Sequence, residues 1–210
     1  MSASKSHASR PCVPDPALGS GGAQAHWLRA VVGAIAAGLL LAGCHERFDL
    51  SVGLPGHFGI IWMAGVMFVR LSSPLAFTAA LTTLGYAAGG TGLDLVGGRG
   101  PWHAVTHLPV YLVPALIVDF AARPFSVDPQ DHLRPMPAWR AALVGGVAFA
   151  SKPLALAAGV TAFGMTAGAL RHGIAFPVLT HFAFGAIGAV IGCLIRMTLE
   201  EAQRPPGSQR

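Results

Sequence analysis

Apolar and polar stretches alternate along this chain in a pattern that fits membrane-spanning helices. Glycine, proline and charged residues separate six apolar segments, which cover residues 27–41, 58–71, 75–96, 102–122, 141–163 and 174–197. A helix needs about 20 residues to cross the hydrocarbon core of a bilayer, and the shorter segments approach this length when flanking residues join them. The pattern predicts an all-α, polytopic membrane protein built as a bundle of six transmembrane helices.

The two ends of the chain depart from this pattern. Residues 1–26 are rich in serine, alanine, glycine and proline, which is typical of a disordered tail. Residues 200–210 form a short polar tail. We therefore expect the transmembrane domain to cover residues 27–199.

The composition also favours a membrane location. Hydrophobic residues make up 53% of the chain and charged residues 11%, with a mean hydropathy of +0.57. A soluble domain has about 25% charged residues, so this chain lacks the polar surface that keeps a protein in water. The excess of 14 basic over 9 acidic residues is then best explained by loops that fix orientation, and no nucleic acid is expected as a partner.

Basic residues predict which side of the membrane each loop occupies. With six spans, ten of them fall on one side and three on the other. Cytoplasmic loops carry the excess of lysine and arginine, so both termini are expected in the cytoplasm. The expected location is the inner membrane of the cell. The ten are Lys5, Arg10, Arg29, Arg70, Arg123, Arg134, Arg140, Arg196, Arg204 and Arg210; the three are Arg47, Arg99 and Arg171.

The end of the first apolar segment allows two interpretations. Residues 41–44 (LAGC) resemble the cleavage box of bacterial lipoproteins, in which the cysteine, here Cys44, carries lipid. However, the leader before this box is unusually long for a signal peptide, and five further apolar segments follow. These features favour a first helix that is retained.

Titratable side chains gather at the predicted outer surface. Groups of this kind near lipid are costly unless they face protein or a water-filled cavity, so we expect them to bind a substrate. His103 and His107 are four residues apart and share a helix face. Two imidazoles at this spacing can hold a transition metal, but they can equally bond an organic substrate or meet headgroups. The predicted outer substrate site contains His57, Asp94, His103, His107 and His181.

Lys152 lies about midway along the fifth apolar segment, followed by Pro153. Two roles are equally compatible with this position. It can pair with Asp119 on the cytoplasmic part of the fourth segment, or it can form the floor of a cavity and neutralise an anionic group of a ligand. Asp119 can alternatively reach the cytoplasmic surface by itself.

The sequence contains no enzyme signature. It has no H-E-x-x-H, no G-x-S-x-G and no phosphate-binding G-x-x-x-x-G-K-[ST] motif. We therefore expect that the protein is not an enzyme. If it transports a substrate, partners must supply the energy, because the chain has no nucleotide site of its own.

Small residues also recur along the first segment, where Ala30, Ala34 and Gly38 form a stripe at i, i+4 and i+8. Such a stripe lets another helix approach closely. Together with the six spans, the cytoplasmic ends and the GLDLVGGRGPWH corner at residues 92–103, it resembles the substrate-binding S component of energy-coupling-factor (ECF) transporters. The resemblance covers residues 27–204.

The resemblance implies a monomeric bundle that captures a small nutrient, such as a vitamin, a precursor or a metal, at its outer face. It further implies that the first helix associates with a membrane coupling protein and two cytoplasmic ATPase subunits, which would assign Ala30, Ala34 and Gly38 to partner binding. The outer histidines, Asp94 and Lys152 would bind the ligand. The chain lacks the His-containing N-terminus by which cobalt and nickel members hold their ion, which speaks against a metal bound in that manner.

An integral membrane metal- or haem-binding protein is the alternative from another functional class. It would use the outer histidines, with His103 and His107 as the metal ligands and His57 or His181 completing the set. A transition metal is therefore the one cofactor that the sequence suggests.

Overall fold

The computed structural model describes residues 21–47, 54, 56–98, 102–122, 136–163 and 173–203, and it describes side chains in all of these except 21–23, 102–107 and 159–163. The prediction of an all-α fold is confirmed across these ranges. Within the described residues, six helices follow one another: α1 (Gly21–Arg47), α2 (Gly59–Ser72), α3 (Thr78–Val96), α4 (Trp102–Ala121), α5 (Ala138–Phe163) and α6 (Ala175–Ala202).

Two helices extend further than the apolar pattern predicted. The start of α1 is at Gly21, inside the stretch expected to be a disordered tail, and α6 continues to Ala202, into the expected polar tail. The last turns of α6 contain leucine, glutamate and alanine, which favour helix, and Arg196 pairs with Glu200 one turn later. A polar sequence therefore does not end a helix when its residues have high helix propensity.

Three of the described helices are long and apolar enough to cross a membrane. These segments are Gln24–Arg47, Ala138–Ala158 and Ala175–Ala202, which belong to α1, α5 and α6. The apolar helices at Gly59–Ser72 and Leu108–Ala121 are shorter. At 1.5 Å per residue, the 14 residues of α2 extend only about 21 Å. The structure thus supports a membrane protein, with three helices that meet the length requirement.

The helices alternate in direction and form a closed bundle. Side-chain contacts pair α3 with α4, α4 with α5, and α5 with α6 in antiparallel fashion, whereas α1 runs parallel to α3 and α2 runs parallel to α6. Helix α2 contacts all five of the others. We call the end where α1, α3 and α5 finish the His45 end, and the opposite end the Arg70 end.

Glycine permits close contact between neighbouring helices. A Cβ atom at Gly38 of α1 would lie 2.0 Å from the carbonyl oxygen of Thr82, and one at Gly85 of α3 would lie 2.3 Å from the carbonyl oxygen of Ile35. A Cβ on Gly192 of α6 would likewise lie 2.3 Å from a backbone oxygen of α2. Small residues at such contacts allow backbones to approach closely. Gly85 and Gly38 therefore lie where α1 and α3 are in closest contact.

This packing corrects the role expected for the small-residue stripe. Ala34 is fully buried and Gly38 lies against the backbone of α3, so α3 of the same chain already covers the face assigned to a partner protein. Ala30 is half-buried. The spacing correctly indicated a helix contact, but the contact is within the chain.

A buried ion pair connects α2, α3 and α4 at the Arg70 end. The Nε atom of Arg70 lies 3.2 Å from Oδ1 of Asp119, and the Asp119 side chain is fully buried. The two carboxylate oxygens of Asp119 accept hydrogen bonds from the backbone N–H groups of Ala79 and Ala80, at 3.0 and 2.9 Å. These N–H groups lie in the first turn of α3 and have no partner within that helix, so Asp119 caps a neighbouring helix.

The ion pair overturns both roles expected for Asp119. It does not pair with Lys152, which lies beside Tyr111, about two turns or roughly 12 Å away along α4. Nor does it reach the cytoplasmic surface, because it is fully buried. The position of Asp119 in the sequence predicts its depth in the bundle, but it does not predict which helix the side chain faces.

Replacing Gly38 tests the close contact between α1 and α3. We expect Gly38→Ala to lower the free energy of unfolding by about 1–3 kcal/mol, because overpacking forces backbone to shift. Gly33→Ala is the matched control, since a Cβ there meets nothing within 4 Å. Thermal unfolding in detergent measures both, and equal stability of the two variants would contradict the contact.

Replacing Asp119 tests the ion pair. We expect Asp119→Leu to cost about 3–5 kcal/mol, because it leaves the charge of Arg70 buried without its partner. The double variant Arg70→Met/Asp119→Leu should recover the part of this loss that comes from the unpaired charge, but not the part from the N–H groups of Ala79 and Ala80, which still lack their acceptor. Glu200→Gln breaks the more exposed pair with Arg196 and should cost less than about 1 kcal/mol. If Asp119→Leu unfolds at the wild-type temperature, the ion pair does not stabilise the bundle.

Candidate functional site

Aromatic and titratable side chains from all six helices meet in the half of the bundle nearer the His45 end. The ring contacts form a continuous series from α1 to α6, and a single lysine lies on two of the rings. We call this group the interior cluster. It consists of His45, Phe58, Trp62, Tyr86, Tyr111, Phe149, Lys152 and His181.

Lys152 is the cation of the interior cluster. Its Nζ atom donates a hydrogen bond to the hydroxyl oxygen of Tyr111 at 2.7 Å and lies 3.9 Å from the centroid of the same ring. It is also 5.4 Å from the centroid of Phe149. An ammonium over an aromatic face is attracted by the ring quadrupole. Among the described residues, no carboxylate lies within 4 Å of this ammonium.

His181 faces the other side of Phe149. The two rings are stacked with centroids 4.9 Å apart, and the imidazole is buried. Its Nδ1 atom lies 2.7 Å from the carbonyl oxygen of Pro177. A carbonyl oxygen only accepts hydrogen bonds, so Nδ1 carries the proton, and Nε2 of the neutral ring is an acceptor. Lys152 and His181 thus present a donor and an acceptor around one phenyl ring.

The glycine before α2 holds the backbone against His181. Gly56 has φ +85°, and a Cβ there would lie 2.7 Å from Nδ1 of His181. Glycine adopts a positive φ without steric cost, because it has no Cβ atom. The chain therefore turns tightly over the histidine ring on its way into α2.

His45 and Tyr86 complete the cluster at its other edge. The hydroxyl of Tyr86 is hydrogen-bonded to Nδ1 of His45 at 2.5 Å, and Phe58 stacks on His45 with centroids 4.0 Å apart. The Tyr86 ring lies 5.1 Å from the Tyr111 ring, which joins this edge to Lys152. The only two tyrosines of the chain are therefore neighbours in the cluster.

Trp62 is a second donor inside the cluster. Its side chain is fully buried, and its ring lies 5.2 Å from Tyr111 and 5.9 Å from Phe149. Within the described part of the chain, its Nε1 atom has no hydrogen-bond partner. A buried donor without a partner costs about 1–3 kcal/mol. A ligand that supplied an acceptor here would recover that free energy.

The other predicted site residues lie apart from these contacts or cannot be placed. His57 is half-buried, and its Nδ1 bonds the nearby carbonyl oxygen of Leu54 at 2.8 Å. Asp94 is buried in the last turn of α3, about 12 Å along the helix from Tyr86. The side chains of His103 and His107 lie outside the described residues, so their expected role as metal ligands stays a prediction. In the ranges with described side chains, no three His, Cys, Asp or Glu side chains form a metal site.

No protein-family model, curated protein or solved structure matches this chain. The chemistry of the interior cluster therefore carries the functional proposal.

Sequence reasoning identified two members of the cluster as site residues and missed its aromatic walls. Lys152 and His181 were recognisable because charged and titratable residues are costly near lipid. Trp62, Tyr111 and Phe149 were missed because aromatic residues are common in apolar helices. A usable signal was the pair of tyrosines: both occur inside apolar segments, where a phenol requires a hydrogen-bond partner.

Two single substitutions test the environment of Lys152, and they should change stability in opposite directions. Lys152→Met removes a cation that lacks a counter-charge among the described residues, and we expect it to raise the free energy of unfolding by about 1 kcal/mol. Tyr111→Phe removes the hydroxyl that accepts the hydrogen bond of Lys152 and should lower the free energy of unfolding by about 1 kcal/mol. Thermal unfolding of ligand-free protein measures both. A destabilised Lys152→Met variant would mean that the ammonium is already neutralised in the folded chain.

Proposed function

We propose that this protein is the substrate-capture subunit of an ECF-type transporter in the inner membrane. All six helices would span the bilayer, with the Arg70 end in the cytoplasm and the His45 end outside. The basic residues support this orientation, because the sequence pattern assigns ten of them to the side of the membrane that the Arg70 end would occupy. The shorter helix α2 would tilt less than the others, and the turn before it would span the remaining distance to the interface.

The observation that carries the proposal is the composition of the interior cluster. A purely structural core of this bundle could be filled by aliphatic side chains, as it is around Met63, Val66 and Met67. The half nearer the His45 end instead holds an ammonium, imidazoles, phenols and a buried indole donor. Binding sites for small molecules are mostly apolar and aromatic with a few convergent polar groups. The cluster has this composition and lies where an outer-facing site would be.

A protein of this kind captures a substrate but cannot drive its uptake. The sequence carries no nucleotide-binding motif, so ATPase subunits and a membrane coupling protein would supply the energy. Their contact surface would not include Gly38, which packs against α3, or Ala34, which is fully buried. The side of α1 that carries Trp27, Leu28 and Val32 is exposed and is available for a partner or for lipid.

Ligand retention tests the capture function. Protein purified gently from its native membranes should retain a small organic molecule that mass spectrometry detects after denaturation. We expect Lys152→Met to lower the amount retained at least tenfold, because the ligand loses its cation. Glu200→Gln, at the opposite end of the bundle, should retain the wild-type amount. The proposal fails if the wild type and Lys152→Met retain the same molecules in the same amounts.

The same preparation tests the transporter assignment separately. ATPase subunits and a membrane coupling protein should co-purify with the wild type, and Lys152→Met should not change their recovery. Retained ligand without these partners would support a binding protein of another class.

A further inference from the structure

Lys152 and Arg70 are both cations inside the bundle, but they have different partners. Arg70 has the carboxylate of Asp119 at 3.2 Å. Lys152 has a phenol oxygen and two aromatic faces, and no carboxylate within 4 Å among the described residues. A half-buried cation near the middle of a membrane is costly unless an anion or water neutralises it. We infer that the ligand of the interior cluster is a carboxylate whose charge pairs with Lys152, in place of the hydrogen bond that Lys152 donates to the Tyr111 hydroxyl. This inference rests on the proposed capture function.

The number of cations limits the charge of the ligand. Lys152 is the one lysine or arginine of the interior cluster, and His181 has its Nδ1 proton directed to a backbone carbonyl. A phosphate would carry nearly two negative charges at neutral pH and would leave about one of them without a partner. A carboxylate carries one, which matches one ammonium. A cationic ligand would be repelled by Lys152.

The rings around Lys152 indicate the rest of the ligand. Trp62 and Phe149 lie with their planes 30° apart, and Phe149 and His181 lie with theirs 28° apart. Nearly parallel rings favour offset stacking with another flat ring. The indole N–H of Trp62 is a donor without a partner in the described residues, so it can bind an acceptor atom on the ligand. The ligand class is therefore an aromatic or heteroaromatic carboxylate.

Tyr111 lies where the ligand carboxylate would bind Lys152. Its hydroxyl occupies one of the three N–H donors of Lys152, and the ring itself is buried. A ligand carboxylate must displace this hydroxyl to form a direct ion pair. Tyr111 lies between Pro109 and Pro114 of α4, where the helix lacks two backbone donors. This stretch of α4 is thus the part of the helix best able to shift the ring.

Matched pairs of acids and amides test the charge of the ligand. The probes are benzoate and benzamide, nicotinate and nicotinamide, and indole-3-acetate and indole-3-acetamide, titrated against the full chain in lipid nanodiscs by calorimetry. At least one carboxylate should bind ten times more tightly than its amide or better, and Lys152→Met should abolish that difference. Tyr111→Phe should bind the same carboxylate about three to ten times more tightly than the wild type, because the competing hydrogen bond is gone.

The outcomes separate this inference from the proposed function. Three results would each overturn the inference. The amides bind as tightly as their acids, the preference for the acid survives in Lys152→Met, or Tyr111→Phe binds the carboxylate more weakly than the wild type. If no probe binds, the molecule retained from native membranes decides: an anion supports the inference, and a neutral or cationic molecule overturns it. A neutral molecule whose retention depends on Lys152 would leave the capture function intact. If nothing is retained and no probe binds, both fail.

Discussion

Burial of charge in an apolar bundle is the constraint on which this structure depends. Few polar groups are available, so each cation inside must be neutralised by a specific partner. Asp119 neutralises Arg70 and at the same time caps α3, which fixes three helices relative to one another. With that end held, the glycine contacts between α1 and α3 and between α2 and α6 determine how the helices approach. The same constraint makes Lys152, which has aromatic and phenol partners instead, the residue that indicates function.

The sequence predicted the described helices well, because each coincides with an apolar segment bounded by polar residues, glycine or proline. It predicted contacts less well. Of the two roles that the sequence left open for Lys152, the pair with Asp119 was wrong, because depth along two helices does not determine which faces are opposed. The stripe of Ala34 and Gly38 correctly signalled close packing, but spacing alone cannot distinguish α3 of the same chain from another protein.

Of the candidate site, only Lys152 and His181 were predictable from the sequence. Lys152 and His181 are costly near lipid and stand out for that reason, whereas Trp62 and Phe149 look like any core aromatic until the fold brings them to Lys152. Convergence of side chains from six helices depends on helix order and rotation, which a single sequence does not specify. The role of His103 and His107 as metal ligands stays a prediction from the sequence, because their side chains lie outside the described residues.

Chemical labelling of lysine tests the central claim most directly, because Lys5 and Lys152 are the only lysines of the chain. Oriented membrane vesicles are treated with an amine-reactive reagent that cannot cross the bilayer, and peptide mass spectrometry measures each lysine. The account predicts that Lys152 reacts when the reagent is on the outer side and is protected by the retained ligand, whereas Lys5 reacts only from the cytoplasmic side. Labelling of Lys152 from the cytoplasmic side alone, or at a rate that the ligand does not change, would contradict an outer-facing binding site.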